Sequence, residues 1–273
     1  MTSRSPKGTI VTDFQAPPAI RASELLRLHR DPELLTVVNV WDVISAKVVS
    51  QVGGTKALAT ASHSIAASRG YEDGEHIPVD EMIAEVARIA AATSLPVSAD
   101  LEGGYGNAAE TVRKAIGVGV VGANIEDQMR PVREAAAQVE AVVKAATAEG
   151  LPDFVLNART DAFLRAGDRN PREVLADAIG RGKAFLDAGA PTVFVPGVLD
   201  EQQTAALVDA FGPRRLTMIG LPGIPRLARL EELGVARVSY GPVPQRVALT
   251  ALAKLVEAVH AGGGAPDDTR QLG

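Results

Sequence analysis

Acidic side chains in this chain recur immediately after short apolar runs. Asp100-Leu101-Glu102-Gly103-Gly104-Tyr105 follows one run, Asn124-Ile125-Glu126-Asp127 the next, and Asn157-Ala158-Arg159-Thr160-Asp161 the one after. Asp73 adds a further carboxylate from a loop that begins with Ser62-His63. So many carboxylates at one place would repel one another strongly, and a divalent cation is the economical remedy. With no cysteine in the chain and no pair of histidines suited to ligation, an oxygen-only donor set favours Mg²⁺ over Zn²⁺, with Mn²⁺ as the substitute. The Asp100-x-Glu102 spacing sends both side chains the same way in extended backbone, and the glycines after it let a ligand approach the main chain. A polar strand end turning through glycines into a helix is the alternative. Arg159 is the one basic group at these run ends, suited to grip a carboxylate or phosphonate in bidentate fashion; an ion pair with Asp161 or Glu126 is the other use of it. His63 has the chemistry of a carboxylate donor or of an acid/base near neutral pH, or it is simply a loop residue. His29, His76 and His260 fall away from these positions and read as structural or exposed.

The elements that must position these groups are legible from hydropathy. Eight short, β-branched runs read as strands: Leu35–Val40, Ala57–Ala61, Pro96–Asp100, Gly122–Glu126, Phe154–Arg159, Thr192–Pro196, Leu216–Ile219 and Ala236–Tyr240. Between and after them lie segments of helical period: Val43–Val52, Val79–Ala92, Ala108–Ile116, Arg133–Ala148, Pro171–Leu186, Glu201–Phe211, Pro225–Leu233 and Val243–Val259. Alternating β and α units of this kind build a parallel sheet. Their number fits a single-domain α/β protein, a (β/α)₈ TIM-type barrel, over residues 21–261. In such a barrel the C-terminal strand ends share one cavity, and every acidic cluster above sits at such an end. Residues 1–20 read as an N-terminal arm, 262–273 as a flexible tail, and Ser23–Asp31 as a helix packing over one end of the barrel. Asp42 reads as a helix cap, and Asn170-Pro171 as an N-cap followed by a first-turn proline.

Composition narrows the function. The chain has 273 residues, 28 Lys+Arg and 33 Asp+Glu, hence 28 − 33 = −5 in formal charge, and no cysteine. Disulfide scaffolds, thiolate metals and Cys nucleophiles are excluded. Mild acidity without a basic cluster argues against nucleic acid as a partner. No apolar run has the length of a signal-peptide core or a membrane span, so a cytoplasmic protein without membrane attachment is expected. A Schiff-base lysine would have to stand at a strand's C-terminal end; Lys56 lies before its strand, and the remaining lysines fall in the arm or on helices.

Several stretches together resemble the isocitrate lyase/phosphoenolpyruvate mutase superfamily: Asn39–Val49 (NVWDVISAKVV), Ala59–Glu75, Leu95–Asn107 (LPVSADLEGGYGN), Gly122–Gln128 (GANIEDQ), Asn157–Leu164 (NARTDAFL) and Thr192–Val198. The resemblance implies a Mg²⁺-dependent barrel that binds a small anionic 2-oxo acid and stabilises its enolate while a C–C or P–C bond breaks or forms. It implies that Asp100 binds the metal directly, that Glu102 does so through water, and that Asp73 and Glu126 complete the shell. Ser62 and His63 would hold the substrate carboxylate, Arg159 its anionic end, and Tyr105 an aromatic wall. Two departures matter. The Lys-Lys-Cys-Gly-His loop of the isocitrate and methylisocitrate lyases is missing, replaced by Gln128-Met129-Arg130-Pro131-Val132, and so is the longer loop of the mutases. The resulting expectation is a lyase of 2-oxo or 2-hydroxy (di)carboxylic acids acting by cleavage or decarboxylation, with His63 or Tyr105 as acid/base, and a homotetramer as in related proteins. Phosphonopyruvate-type P–C hydrolase or mutase chemistry, and a non-catalytic 2-oxo acid-binding barrel, are the alternatives.

Overall fold

The computed structural model describes residues 15–272. The first fourteen residues of the expected arm thus lie outside the described residues; of the remainder, Pro18 onward is already helical. Nine parallel strand segments, β1 (Leu35–Val37), β2 (Asn39–Val40), β3 (Leu58–Thr60), β4 (Val97–Asp100), β5 (Gly122–Glu126), β6 (Val155–Arg159), β7 (Thr192–Phe194), β8 (Leu216–Ile219) and β9 (Arg237–Ser239), run in the order β1-β9-β8-β7-β6-β5-β4-β3-β2. The two ends of that order are consecutive in the chain. The expected first strand is interrupted at Val38, its first half pairing with β9 (Leu35 opposite Arg237) and its second with β3 (Asn39 opposite Ala59). Pairing one strand with both the second and the last is how a sheet closes on itself, so the architecture is the eight-fold α/β barrel expected from the alternating pattern.

Helix α1 (Pro18–Arg30) starts at a first-turn proline and buries Ala22, Leu25, Leu26 and Leu28. It lies across the N-terminal end of the barrel: a Cβ on Gly122, the first residue of β5, would come within 2.8 Å of Leu25 Cδ2. The other helices are α2 (Val43–Ser50), α3 (Ser62–Ser68), α4 (Val79–Ala91), α5 (Ala108–Gly117), α6 (Val132–Ala148), α7 (Pro171–Asp187), α8 (Glu201–Phe211), α9 (Leu227–Leu233) and α10 (Val243–His260). Asp42 caps α2 in a reciprocal box with Ser45, and the Asn170 side chain accepts from Arg172 N ahead of α7, satisfying orphan donors of each first turn. Helix α3 is a departure from the sequence reading, which placed Ser62 and His63 on a loop; both stand in the first turn of this short helix.

The strands are apolar toward the helices, but the barrel interior carries a polar layer. Asn157 donates to Asn124 Oδ1 at 2.8 Å and accepts from Thr217 at 2.6 Å and Thr192 at 3.1 Å. Arg237 lies in the same interior, 1% exposed, with Ser98 Oγ at 3.3 Å as its side-chain partner. Most of the length of α10 is different: Val247, Leu249, Leu252, Val256 and Val259 are 44–64% exposed. Gly262–Leu272 is exposed throughout. Among the described residues no helix is long and apolar enough to cross a membrane.

Candidate active site

A cavity of about 270 Å³ opens at the C-terminal end of the barrel, where Ser62, His63, Asp73, Asp100 and Arg159 meet with Asn39 and Asn124. Asp100 ends β4. Its backbone N–H donates to Thr60 Oγ1 at 2.9 Å, and its Oδ2 accepts from the Ser62 hydroxyl at 2.9 Å and the Ser62 N–H at 3.3 Å. The other oxygen, Oδ1, is buried without a hydrogen-bond partner. A carboxylate oxygen left bare in this way is costly unless a ligand completes it.

Arg159 ends β6 with its side chain 20% exposed. Its Nη1 lies 2.8 Å from Glu126 Oε2, and its Nε donates to Asp161 Oδ1 at 2.8 Å. Burial works against its charge, but Glu126 and Asp161 outweigh that and raise its pKa. Glu126 is pushed up to about 7, mainly by burial, with Arg159 opposing and Asp161, Asp100 and Glu102 adding to the rise. Asp161 is likewise raised by burial, Arg159 again opposing. Both uses foreseen for this arginine are therefore compatible in space: it is ion-paired to two acids and still lines the cavity.

Glu102 sits just outside the cavity lining, 3% exposed, with both oxygens engaged. Oε1 accepts from the Tyr105 hydroxyl at 2.9 Å, and Oε2 accepts from Glu75 N. Glu75 returns the contact by accepting from Tyr105 N at 2.6 Å. Burial raises the Glu102 pKa, these hydrogen bonds offset part of that, and Asp100 and Asp73 add to it. Tyr105 is raised further, through burial and the adjacent Glu102 charge. Its hydroxyl is committed to Glu102 rather than turned to the cavity, which makes it a weak proton donor. His63 stands on the rim, 42% exposed at its side chain, with Nδ1 3.5 Å from Asp73 Oδ2.

The backbone here is held in unusual conformations. Glu75, Glu102, Tyr105, Gln128 and Met129 all adopt left-handed φ between 48° and 65°, a strained region for residues with a side chain, found most often at functional sites. Buried Asp127 anchors the loop after β5, accepting from Met129 N at 3.0 Å, Asp161 N at 3.1 Å and Arg181 Nη1 at 3.1 Å.

The structure therefore brings Ser62, His63, Asp73, Asp100 and Arg159 onto one cavity, and sets Glu102, Tyr105 and Glu126 behind it. Among the described residues no group of three or more Asp, Glu, His or Cys side chains stands close enough together to hold an ion by itself. A cation held here would take one or two carboxylates directly and keep several waters, as Mg²⁺ does. The bare Asp100 Oδ1 fits the direct position. Sequence reasoning missed Glu75 and, most notably, Arg246 from the first turn of α10, which also lines the cavity. The rule that applied to Asp100, that residues just after a strand end face the mouth, would have found it, because β9 ends at Ser239. A larger cavity, about 450 Å³, lies at the opposite end beside His29 and Arg214; in this architecture that rim mainly carries stability, so size does not make it the active site.

A closed parallel barrel thus gathers acids and Arg159 at its C-terminal mouth, the rim on which barrels of this architecture carry their chemistry. The chain belongs to the phosphoenolpyruvate phosphomutase family, whose model it matches over residues 25–260, and with it to the isocitrate lyase/PEP mutase superfamily that its motifs resemble. An uncharacterized protein of Mycobacterium tuberculosis is 32% identical over 88% of this chain and 90% of its own. The 2,3-dimethylmalate lyase of Eubacterium barkeri is 28% identical over 86% of this chain and 84% of its own. A solved structure from Burkholderia cenocepacia, provisionally described as a phosphonomutase, superposes with a TM-score of 0.82 at 38% identity, covering 88% of this chain and 99% of that one.

Proposed function

We propose that this protein is a Mg²⁺-dependent lyase that cleaves or decarboxylates a small 2-oxo or 2-hydroxy carboxylic acid. The observation that carries the reading is the Asp100 carboxylate, one oxygen held by Ser62 and the other buried and bare, facing a cavity that also holds Arg159. Relatives whose names state a reaction include a 2,3-dimethylmalate lyase and an oxaloacetate decarboxylase, which act on acids of this kind. In the proposal Asp100 would hold the metal, and Asp73 in the cavity, with Glu102 and Glu126 set behind it, would bind its waters. When bound, Mg²⁺ supplies Lewis-acid stabilisation of negative charge on the 2-oxo oxygen. Arg159 orients the substrate's anionic end, while Glu126 and Asp161 fix the guanidinium plane. Ser62 N–H and Oγ, already aimed at Asp100, and Asn124 order the oxygens around it. His63, on the rim with Asp73 beside it, is assigned the proton transfer in preference to Tyr105.

The test is a Mg²⁺-supplemented panel of 2-oxo acids, 2-hydroxy acids and phosphonates, with products read by NMR for the wild type and Asp100→Ala. Metal-dependent release of pyruvate, another 2-oxo acid or CO₂, abolished in the variant together with 2-oxo acid binding, supports the lyase. Phosphate release from phosphonopyruvate would replace it with P–C chemistry, and tight binding without turnover of any compound with a sensing role. Unchanged metal-dependent turnover in Asp100→Ala would sink the site assignment. We extend the proposal to a homotetramer, supported by the apolar residues that α10 leaves exposed.

A further inference from the structure

The larger cavity, at the N-terminal end of the barrel, gathers cations that the catalytic mouth does not use. It holds about 450 Å³ beside α1 and the N-terminal ends of β6 and β7, and Arg30, Arg214 and Arg215 line it. Among the described residues none of these three guanidinium groups is ion-paired; the one carboxylate in the lining, Asp153, instead accepts from Ser23 Oγ at 2.6 Å. Arg214 is aimed rather than loose. Its Nη1 donates to Val235 O at 2.6 Å, and its Nη2 to Glu231 O at 3.3 Å and to Pro32 O. Its backbone takes a left-handed φ of 61°, a conformation that costs free energy at a residue with a side chain. Those carbonyls orient the charge without cancelling it. We propose that this cavity is a second binding site, for a small phosphate ester of nucleotide size. The inference is independent of the lyase reading, since none of its residues stands at the catalytic mouth.

Charge and volume both select the ligand. Three arginines and Asp153 leave 3 − 1 = +2 around the cavity, which matches the roughly −1.5 to −2 of a phosphate monoester near neutral pH, and guanidinium forks fit phosphate oxygens in bidentate geometry. Phosphate alone does not fill the space: 450 Å³ equals the share of about fifteen waters and is the size of an ordinary small-molecule pocket. Leu26, Leu151, Phe154 and Leu186 supply an apolar wall for the rest of the molecule. His29 adds a polar requirement. It is fully buried and lines the same cavity, with Nδ1 donating to Leu25 O at 2.7 Å and Nε2 left as an acceptor without a partner. An amino or hydroxyl group on the ligand meets that need. A phosphorylated molecule whose ring is apolar on its faces and carries a donor at its edge satisfies the arginines, the wall and His29 together.

Calorimetry on the full chain tests this, in a low-salt buffer free of phosphate and Mg²⁺, with AMP as the probe and adenosine as its phosphate-free counterpart. AMP should bind once per chain, and adenosine about tenfold or more weaker, the usual loss for a charge-assisted hydrogen bond. Replacing Arg214 would also remove its contacts to three backbone carbonyls, so the double variant Arg30→Met/Arg215→Met is used, two side chains that hold no other part of the fold. It should weaken AMP by about tenfold or more, whereas Arg246→Met, which alters the catalytic mouth instead, should leave AMP within about twofold. Weakening by Arg246→Met and not by the double variant would put the phosphate at the catalytic mouth and overturn the inference. So would equal affinity for adenosine, or no binding of AMP at millimolar concentration. None of these results bears on turnover of 2-oxo acids, so the inference and the lyase reading fail separately.

Discussion

His29 should make this barrel sensitive to mild acid, and one substitution should remove the sensitivity. The ring is fully buried in α1, with Nδ1 2.7 Å from Leu25 O. That contact makes Nδ1 the N–H donor and leaves Nε2 as a bare acceptor, buried without a partner. Burial, and then the charge of Arg237, push its pKa down to about 3, with the Leu25 carbonyl opposing. The unfolded chain takes up the proton near the ordinary value of about 6.5. A folded pKa below the unfolded one means that the stability contribution is complete above about 6.5 and is lost as pH falls from there toward about 3. At pH 5 the unfolded imidazole is about 30 times more protonated than neutral, while the folded one is neutral, so this residue alone costs about 2 kcal/mol relative to pH 7.5. His29→Leu keeps the apolar bulk and has nothing to protonate. Urea unfolding of both proteins at pH 7.5, 6 and 5 isolates the term, because every other acid and base is common to them. The wild type should lose about 2 kcal/mol more than the variant between the first pH and the last. Parallel stability curves, within about 0.5 kcal/mol, would refute the reasoning and mean that the buried ring is protonated or exchanges with solvent.

Other perturbations have equally definite outcomes. Gly104 has φ +92°, and a Cβ there would lie 2.4 Å from Ala108 Cβ and 2.5 Å from its Cα; Gly104→Ala should cost about 2 kcal/mol or more in thermal unfolding, and a variant as stable as the wild type would contradict the tight turn behind Asp100. Arg181→Met strands the buried Asp127 carboxylate, its partner at 3.1 Å, so a loss of about 3–5 kcal/mol is expected, measured by denaturant titration; a loss below about 1 kcal/mol would show that the pair is solvated. Leu252→Glu, on the exposed apolar face of α10, should shift the mass of the particle in analytical ultracentrifugation without changing the circular dichroism of the barrel, and an unaltered sedimentation profile would remove α10 from the proposed subunit contacts.

The strands were readable because each is a nearly continuous apolar run buried on both faces, as in Val155-Leu156-Asn157-Ala158, and the acids were readable because they follow such runs directly. What hydropathy could not carry is geometry set by tertiary contacts. Helix α3 spans only Ser62–Ser68 and contains three serines, too short and too polar for a 3.6-residue period to show against a loop. The pairing of Glu75 with Tyr105 N depends on left-handed backbone at non-glycine residues, which leaves no compositional mark. Arg246 was hidden for the opposite reason: it lies inside an evident helical segment, so its period drew attention and its place at the mouth of the barrel did not. His29 was assigned to a helix or loop away from the mouth, and its full burial follows from α1 covering the barrel floor, a contact between distant parts of the chain.

The interrupted first strand has a bearing on how the chain must be made. Leu35 pairs with Arg237, so the seam of the barrel joins residues separated by most of the sequence, and a loop of that size is entropically expensive to close. During synthesis the earlier βα units have neighbours to pair with as they leave the ribosome, but β1 does not: until β9 emerges it presents an unpaired strand edge of the kind that recruits other chains. The N-terminal β1 edge, and not any element near the active site, is therefore where a stalled or truncated nascent chain is most exposed to misassociation, and where a ribosome-associated chaperone has the longest time to act.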